Sequence, residues 1–406
     1  MISNILLVLY HDFTANSATH VHAIAEELNA LGYECQIAVP QNKQSIVGLG
    51  SSAAKAVDFA DAETQGLTYS NGRGPDIIHA WTPREIVRRF CEGMRARYAS
   101  RLFIHLEDNE LYILSRNLGK PLSDVLALSP SDLNKLVPSS LSHPQRANEF
   151  LQSATGVTVI IDKLREFVPA DRPVMELWPS ASRDLFKPRP KSLSARKLHG
   201  IPNNTTVLAY TGNTHGANAD EMRSLYLAVA ILNREGHSAT LVRAGRDFCP
   251  FLGPDETWAR QHSIELGMVQ HRDVPPLLAL ADVLVQPGKP GEFNDYRFPS
   301  KLPEFLSVGR PVVLPLSNIA RHMIHGEHGY IVPDLNAVAI ADAVRTIMED
   351  QDLYRRLAAG AIQFFNSHLN WAISAKKLSD FYQSAGQTTE ASTLAPAQAK
   401  SSRAAQ

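Results

Sequence analysis

The sequence predicts an α/β protein of two domains, each organised around a parallel sheet. Three observations carry that expectation. Short apolar runs alternate with amphipathic stretches, the pattern of strands linked by crossover helices. The alternation stops in a segment rich in Pro, Ser, Lys and Arg, residues 178–204, and then restarts. The chain of 406 residues, 44% of them hydrophobic, is too long for one ordinary core and apolar enough for two.

In the first half, Ile5 to Leu9 reads as a buried strand, followed by a polar loop from His11 to Asn16. Val21, Ile24, Ala25 and Leu28 then share one face of a helix that Gly32 closes. Cys35 to Val39, Asp76 to His79, Leu102 to His105 and Thr158 to Ile161 read as further strands, with a helical stretch from Asp162. Residues 115–153 have weak periodicity and suit helical insertions or a lid over a cleft. In the second half Val207 to Tyr210, Thr240 to Val242, Asp282 to Val285 and Pro311 to Leu314 read as strands. Met222, Leu225, Tyr226, Val229 and Leu232 mark a helix between the first two of them. The segment 178–204 is expected to be an exposed linker, and residues 385–406, nearly free of large apolar groups, a disordered tail.

Composition narrows the function. A formal net charge of -1 argues against bulk nucleic-acid binding. The apolar start of the chain lacks a basic leader and a small-residue cleavage site, so it reads as a strand rather than a signal peptide. Cys35, Cys91 and Cys249 are scattered and odd in number, as expected of free thiols in a reducing cytoplasm. With no Gly-x-Gly-x-x-Gly turn after the first strand, a dinucleotide dehydrogenase is not expected.

Residues 271–315 carry the most chemistry. A strand ends at Val285, a Gly- and Pro-rich loop follows, Ser300 is placed to cap a helix over Lys301 to Val308, and Gly309-Arg310-Pro311 stops it. That puts a helix N-terminus at the carboxyl edge of a parallel sheet, where diphosphates bind. Lys301 is placed to neutralise a phosphate, and Glu304, one turn in, to accept hydrogen bonds from the two hydroxyls of a ribose. Taken alone, Glu304 would better suit a solvated first-turn acid.

The run PSKLPEFLSVGRPVV resembles the donor-site signature of the retaining glycosyltransferases of group 1, which have the GT-B architecture of two facing Rossmann-like domains around a deep cleft. PDIIHAWTP (75–83), DVPPLLALADVLVQP (273–287), GEHGYIVP (326–333) and LNWAISAKKLSDFY (369–382) are individually weaker matches along the chain. The resemblance implies a first, acceptor-side domain over 1–180 and a nucleotide-sugar-binding domain over 181–368. It also implies a closing helix over 369–384 that crosses back to the first domain. Glu304 is then the ribose ligand. Where the family has a second glutamate, this chain has Tyr296, and the loop TGNTHGAN (211–218) replaces the usual Arg and Lys. Phosphate neutralisation is therefore expected from Lys301 with Arg297 and Arg243, with Asn294, Gly212 and Asn213 lining the same pocket. HLEDNE (105–110) stands where the family's histidine is expected, so Glu107 and Asp108 become candidates on the acceptor side.

The resemblance implies transfer of a sugar from a nucleotide-sugar donor to a glycan or lipid-linked acceptor, with retention and without a metal or other cofactor. A nucleotide-sugar epimerase of the same fold and a donor-binding module without catalysis are the alternatives. His322, His325 and His328 have a spacing that invites a metal, but bring no matching Cys or carboxylate cluster in sequence. Pro83 to Arg101, with six arginines, suits either a solvated helix face or peripheral contact with anionic lipid. The expected location is cytoplasmic, with peripheral contact at the inner face of a membrane as the alternative.

Overall fold

The computed structural model describes residues 3–393. Its first sheet contains β1 (Asn4–Val8), β2 (Glu34–Val39), β3 (Lys55–Asp58), β4 (Ile77–Trp81), β5 (Arg101–Leu106), β6 (Gly156–Val159) and β7 (Val174–Glu176). The second contains β8 (Thr206–Thr211), β9 (Ala239–Ala244), β10 (Ser263–Glu265), β11 (Val283–Val285), β12 (Val312–Pro315) and β13 (Tyr330–Val332). The strand orders are β3-β2-β1-β4-β5-β6-β7 and β10-β9-β8-β11-β12-β13. Every pairing within them is parallel.

The reason the central strands were readable is burial on both faces. Helices cover each side of a parallel sheet, so β1 (NILLV) and β4 (IIHAW) lie wholly buried and read as apolar runs. The sequence reading missed β3 (KAVD), β7 (VME) and β10 (SIE), short strands at sheet edges whose residues are largely half-exposed and carry no such run. In each sheet the order reverses direction beside one strand pair, β1/β4 and β8/β11. Ligands of open α/β sheets bind outside the carboxyl ends of such pairs.

Three short helices, Glu110–Leu118, Leu122–Leu126 and Pro130–Leu136, fill the connection from β5 towards β6. They bury a small core of their own, Leu114, Val125, Leu133 and Leu141. Tyr112 on the first of them meets Phe293 of the second domain, ring centres 6.2 Å apart, so the insertion borders the cleft.

The segment 178–204 is largely exposed, as expected of a linker, but it is anchored at a few buried positions. Phe186 and Arg196 are buried, and Leu193–Leu198 is helical. Arg196 donates to the carbonyls of Leu280 and Thr205 and pairs with Asp282 at 2.8 Å. A fully buried guanidinium is tolerable when its donors are satisfied in this way. The charged composition of the segment thus reflects one saturated internal contact as well as solvent exposure.

The last helix, Trp371–Thr393, returns to the first domain. The hydroxyl of Tyr382 lies 2.7 Å from His79 Nδ1, and Arg101 donates to the Tyr382 carbonyl. The helix continues past 384, through the first part of the segment expected to be disordered. Residues 394–406 lie outside the described residues. Among the described residues no helix is long and apolar enough to cross a membrane.

Candidate functional site

The second-domain face is built where β8 and β11 end. β8 runs into Gly212, and a Cβ at Gly212 would lie 2.4 Å from Lys301 Cε and 2.7 Å from the Tyr210 hydroxyl. The stem of Lys301 therefore lies directly against the loop after β8. Gly245 makes the same loop possible from below. It has φ +140, and a Cβ there would sit 2.1 Å from the Gly212 carbonyl oxygen.

The helix that follows is Leu302–Ser307, with Lys301 at its N-cap position and no side-chain cap, so Ser300 does not cap it. So short a helix contributes little dipole, and side-chain cations dominate the local field. Arg297, its guanidinium 4.0 Å over the Phe293 ring, donates to Asn294 Oδ1 at 3.2 Å. Burial lowers its pKa, against the opposing charge of Asp108 in the first domain. His215, from the loop after β8, is held below the usual histidine range by burial and by the positive charges of Lys301 and Arg297. Lys301 and Arg297 thus form an electropositive cluster near the β8 end, beside which the neutral form of His215 is favoured.

Glu304 lies half-buried on the same helix, and His271 Nε2 is 2.8 Å from its Oε1. The hydrogen bond raises the His271 pKa. The other carboxylate oxygen has no bond in this pairing.

Across the cleft, Glu107 and Asp108 follow directly on β5. Glu107 is buried and fully engaged: Trp81 Nε1 donates to it at 2.7 Å, Ser17 donates to its second oxygen, and His20 Nδ1 stands 3.5 Å away. Burial alone would raise its pKa, but these partners and His105 bring it down to about 2. Asp108, half-buried beside it, behaves oppositely. Burial, then the charges of Glu107 and Glu110, push its pKa up to about 7 against the pull of Arg84 and Arg297. Two neighbouring carboxylates are thereby driven to different protonation states.

Three sequence candidates turn inward. Arg243 is buried and bonds Thr214 Oγ1 at 2.8 Å, the Tyr226 hydroxyl at 3.2 Å and Asp247 at 2.6 Å. It braces the loop from beneath, because a buried guanidinium must satisfy its donors locally. Asn294 is also buried, donating to Glu221 and to the Lys289 carbonyl. Asn213 accepts from the Arg246 amide and receives Asn218 on its carbonyl. All three shape the pocket wall through hydrogen bonds made within their own domain. Tyr296, at the position of the family glutamate, reaches across to Glu166 of the first domain at 2.6 Å.

Sequence reasoning missed His215, His271, Ser17 and Trp81. Each belongs to an element read only for its backbone, and their convergence depends on strand order. The arginines of 83–101 are largely engaged. Arg84 pairs with Glu110, Arg88 with Glu85 and Glu92, Arg95 with Ser153 and Arg101 with Tyr382; Arg89 and Arg97 are exposed, the first reaching Glu85 and the second the Glu63 carbonyl. His325 and His328 accept backbone amides of Ile331 and Ile324, and so do not join His322 in a three-histidine site.

Residues 205–350 match the protein-family profile described as Glycosyl transferases group 1. Over 339 residues the chain is 24% identical to Alpha-D-kanosaminyltransferase of Streptomyces kanamyceticus, spanning 76% of this chain and 84% of that one. HepE of Anabaena, solved with UDP-glucose, superposes with a TM-score of 0.67 at 16% identity, covering 94% of this chain and 99% of that one. Sucrose-phosphate synthase of Thermosynechococcus elongatus gives 0.66 at 15% identity, covering 95% and 100%. The chain therefore has the GT-B fold of two Rossmann-like domains, and its second domain matches the group 1 glycosyltransferase profile.

Proposed function

We propose that the protein is a glycosyltransferase that moves a sugar from a nucleotide-sugar donor to a glycan or lipid-linked acceptor, with retention of configuration. The observation that carries this reading is the stem of Lys301 lying against Gly212 at the β8 end, with the charge of Arg297 acting beside it on His215 and the Glu304 carboxylate one turn further along the same segment. Cations and a carboxylate at that spacing suit the diphosphate and the ribose of one donor. The relative from Streptomyces kanamyceticus, named as a transferase, and the UDP-glucose complex of HepE support it.

Breaking the sugar–phosphate bond leaves positive charge on the ring and negative charge on the departing diphosphate. Lys301 and Arg297 stabilise that anion more strongly than the intact donor, which is the condition for catalysis. The departing phosphate takes the proton of the acceptor hydroxyl on the same face, so the account needs no protein nucleophile and no metal. Asp108 borders the acceptor side, where its near-neutral pKa lets it exchange hydrogen bonds in either protonation state.

The test is incubation with UDP-, GDP-, ADP- and dTDP-sugars, with and without glycan acceptors, followed by product analysis. Sugar transfer that requires acceptor is the expected result. A new sugar nucleotide formed without acceptor would identify an epimerase, and binding without turnover would identify a non-catalytic module.

A further inference from the structure

The histidine spacing noted in the sequence has a different outcome in three dimensions. His322 leaves its two sequence neighbours and meets carboxylates of the other domain. Asp162, just after β6, Glu176, at the end of β7, and His322, after β12, each offer a ligand atom, and these atoms lie within 4.8 Å of one another. His322 Nε2 is 4.0 Å from Asp162 Oδ2. Tetrahedral ligands at zinc distances stand ~3.4 Å apart, so the His322–Asp162 pair must close by about 0.6 Å and the widest pair by up to about 1.4 Å, within reach of side-chain rotation.

Two further observations point to a cation. Glu176 Oε1 is sealed from solvent and has no hydrogen-bond partner. Among the described residues, no lysine or arginine forms an ion pair with Asp162 or Glu176. Two carboxylates drawn together without a countercharge are costly. The ring of His322 is also oriented in advance, packed edge-on to Trp178 at 5.0 Å, which itself stacks on Phe364.

We propose that Asp162, Glu176 and His322 form an interdomain site for a divalent transition-metal ion, with Zn2+ the best match. One imidazole and two carboxylates suit borderline ions such as Zn2+ over Mg2+ or Ca2+, which favour all-oxygen cages. Water completes the coordination. Because two ligands come from the first domain and one from the second, the ion ties the domains together beside Trp178, whose ring also meets Phe298. Its role is structural, and it stands independently of the transferase reading.

The experiment is calorimetric titration of the metal-free full chain with Zn2+ and, separately, Mg2+, near pH 7. One equivalent of Zn2+ should bind and raise the melting temperature, with no saturable Mg2+ binding. Asp162→Asn and His322→Ala should each weaken Zn2+ at least about tenfold, the loss seen even for outer-shell partners of a metal. Exposed His199→Ala should leave it unchanged. Asp162 is surface-exposed, so its variant folds even if His322→Ala does not. Absence of saturable Zn2+ binding would overturn the site. So would binding unaltered in Asp162→Asn, which would mean adventitious binding only.

Discussion

The two faces of the cleft solve the problem of charge differently. On the first-domain face Glu107 is buried and saturated by Trp81, Ser17 and His20, and its ionised form is locked in. On the second-domain face Lys301 and Glu304 sit half-buried, and Glu304 is held on one oxygen by an exposed histidine. A saturated charge is architecture, whereas a charge left partly unsatisfied can be spent on a ligand. The difference predicts that substitutions on the two faces fail in different ways, one in stability and the other in turnover.

The largest effect is expected on the second face. Lys301→Ala should lower kcat by about 10²–10³-fold, the range for removing one preorganised donor to a developing anion, with the melting temperature nearly unchanged. Steady-state kinetics beside calorimetry check this, and a stability loss without a kinetic one would erase the contrast. Beneath that face, Gly245→Ala meets the Gly212 carbonyl and a φ of +140, and should cost about 2–4 kcal/mol in denaturant unfolding.

On the first face, Glu107→Gln keeps the shape but removes the charge that Trp81, Ser17 and His20 surround. It should cost about 1–3 kcal/mol in the same unfolding measurement. The pH dependence sharpens the contrast between the paired acids. Glu107, with a folded pKa of about 2, contributes stability above its ordinary range that is lost as pH falls from about 4.5 towards 2. Asp108, with a folded pKa of about 7, contributes stability at low pH that is lost as pH rises from about 4 through 7. Asp108→Asn should therefore flatten the stability profile between pH 4 and 7, by about 1–2 kcal/mol after allowance for its partial exposure. Urea midpoints across that range check the sign. The smallest effect belongs to the arginine helix. With most of its charges paired internally, wild-type protein should sediment little more with anionic than with neutral vesicles, and Arg97→Ala should change nothing measurable.

The sequence conveyed the central strands because two-sided burial writes them as apolar runs, as in β1 and β4. Edge strands such as β7 and β10 left no such trace. Lys301 and Glu304 were legible because one contiguous segment carries both, and Gly212 because the loop after β8 must pass close to them. Arg243 was misjudged for the opposite reason. Only the fold shows that Asp247 and Thr214 already claim its guanidinium. His215 and His271 join the pocket through crossovers between strands, and the opposite pKa shifts of Glu107 and Asp108 depend on what β1, β4 and the first helix bring beside them. Local pattern records none of these.

The central claim is that Glu304 and the Lys301 cluster grip one nucleotide sugar. It is tested most directly by isothermal titration of UDP, GDP, ADP and dTDP into wild-type protein and Glu304→Ala. Saturable binding of one nucleotide class, weakened at least about tenfold in Glu304→Ala, is the predicted result, since a charged hydrogen bond contributes ~1.5–3 kcal/mol. Equal binding by the two proteins, or none by either, would contradict it.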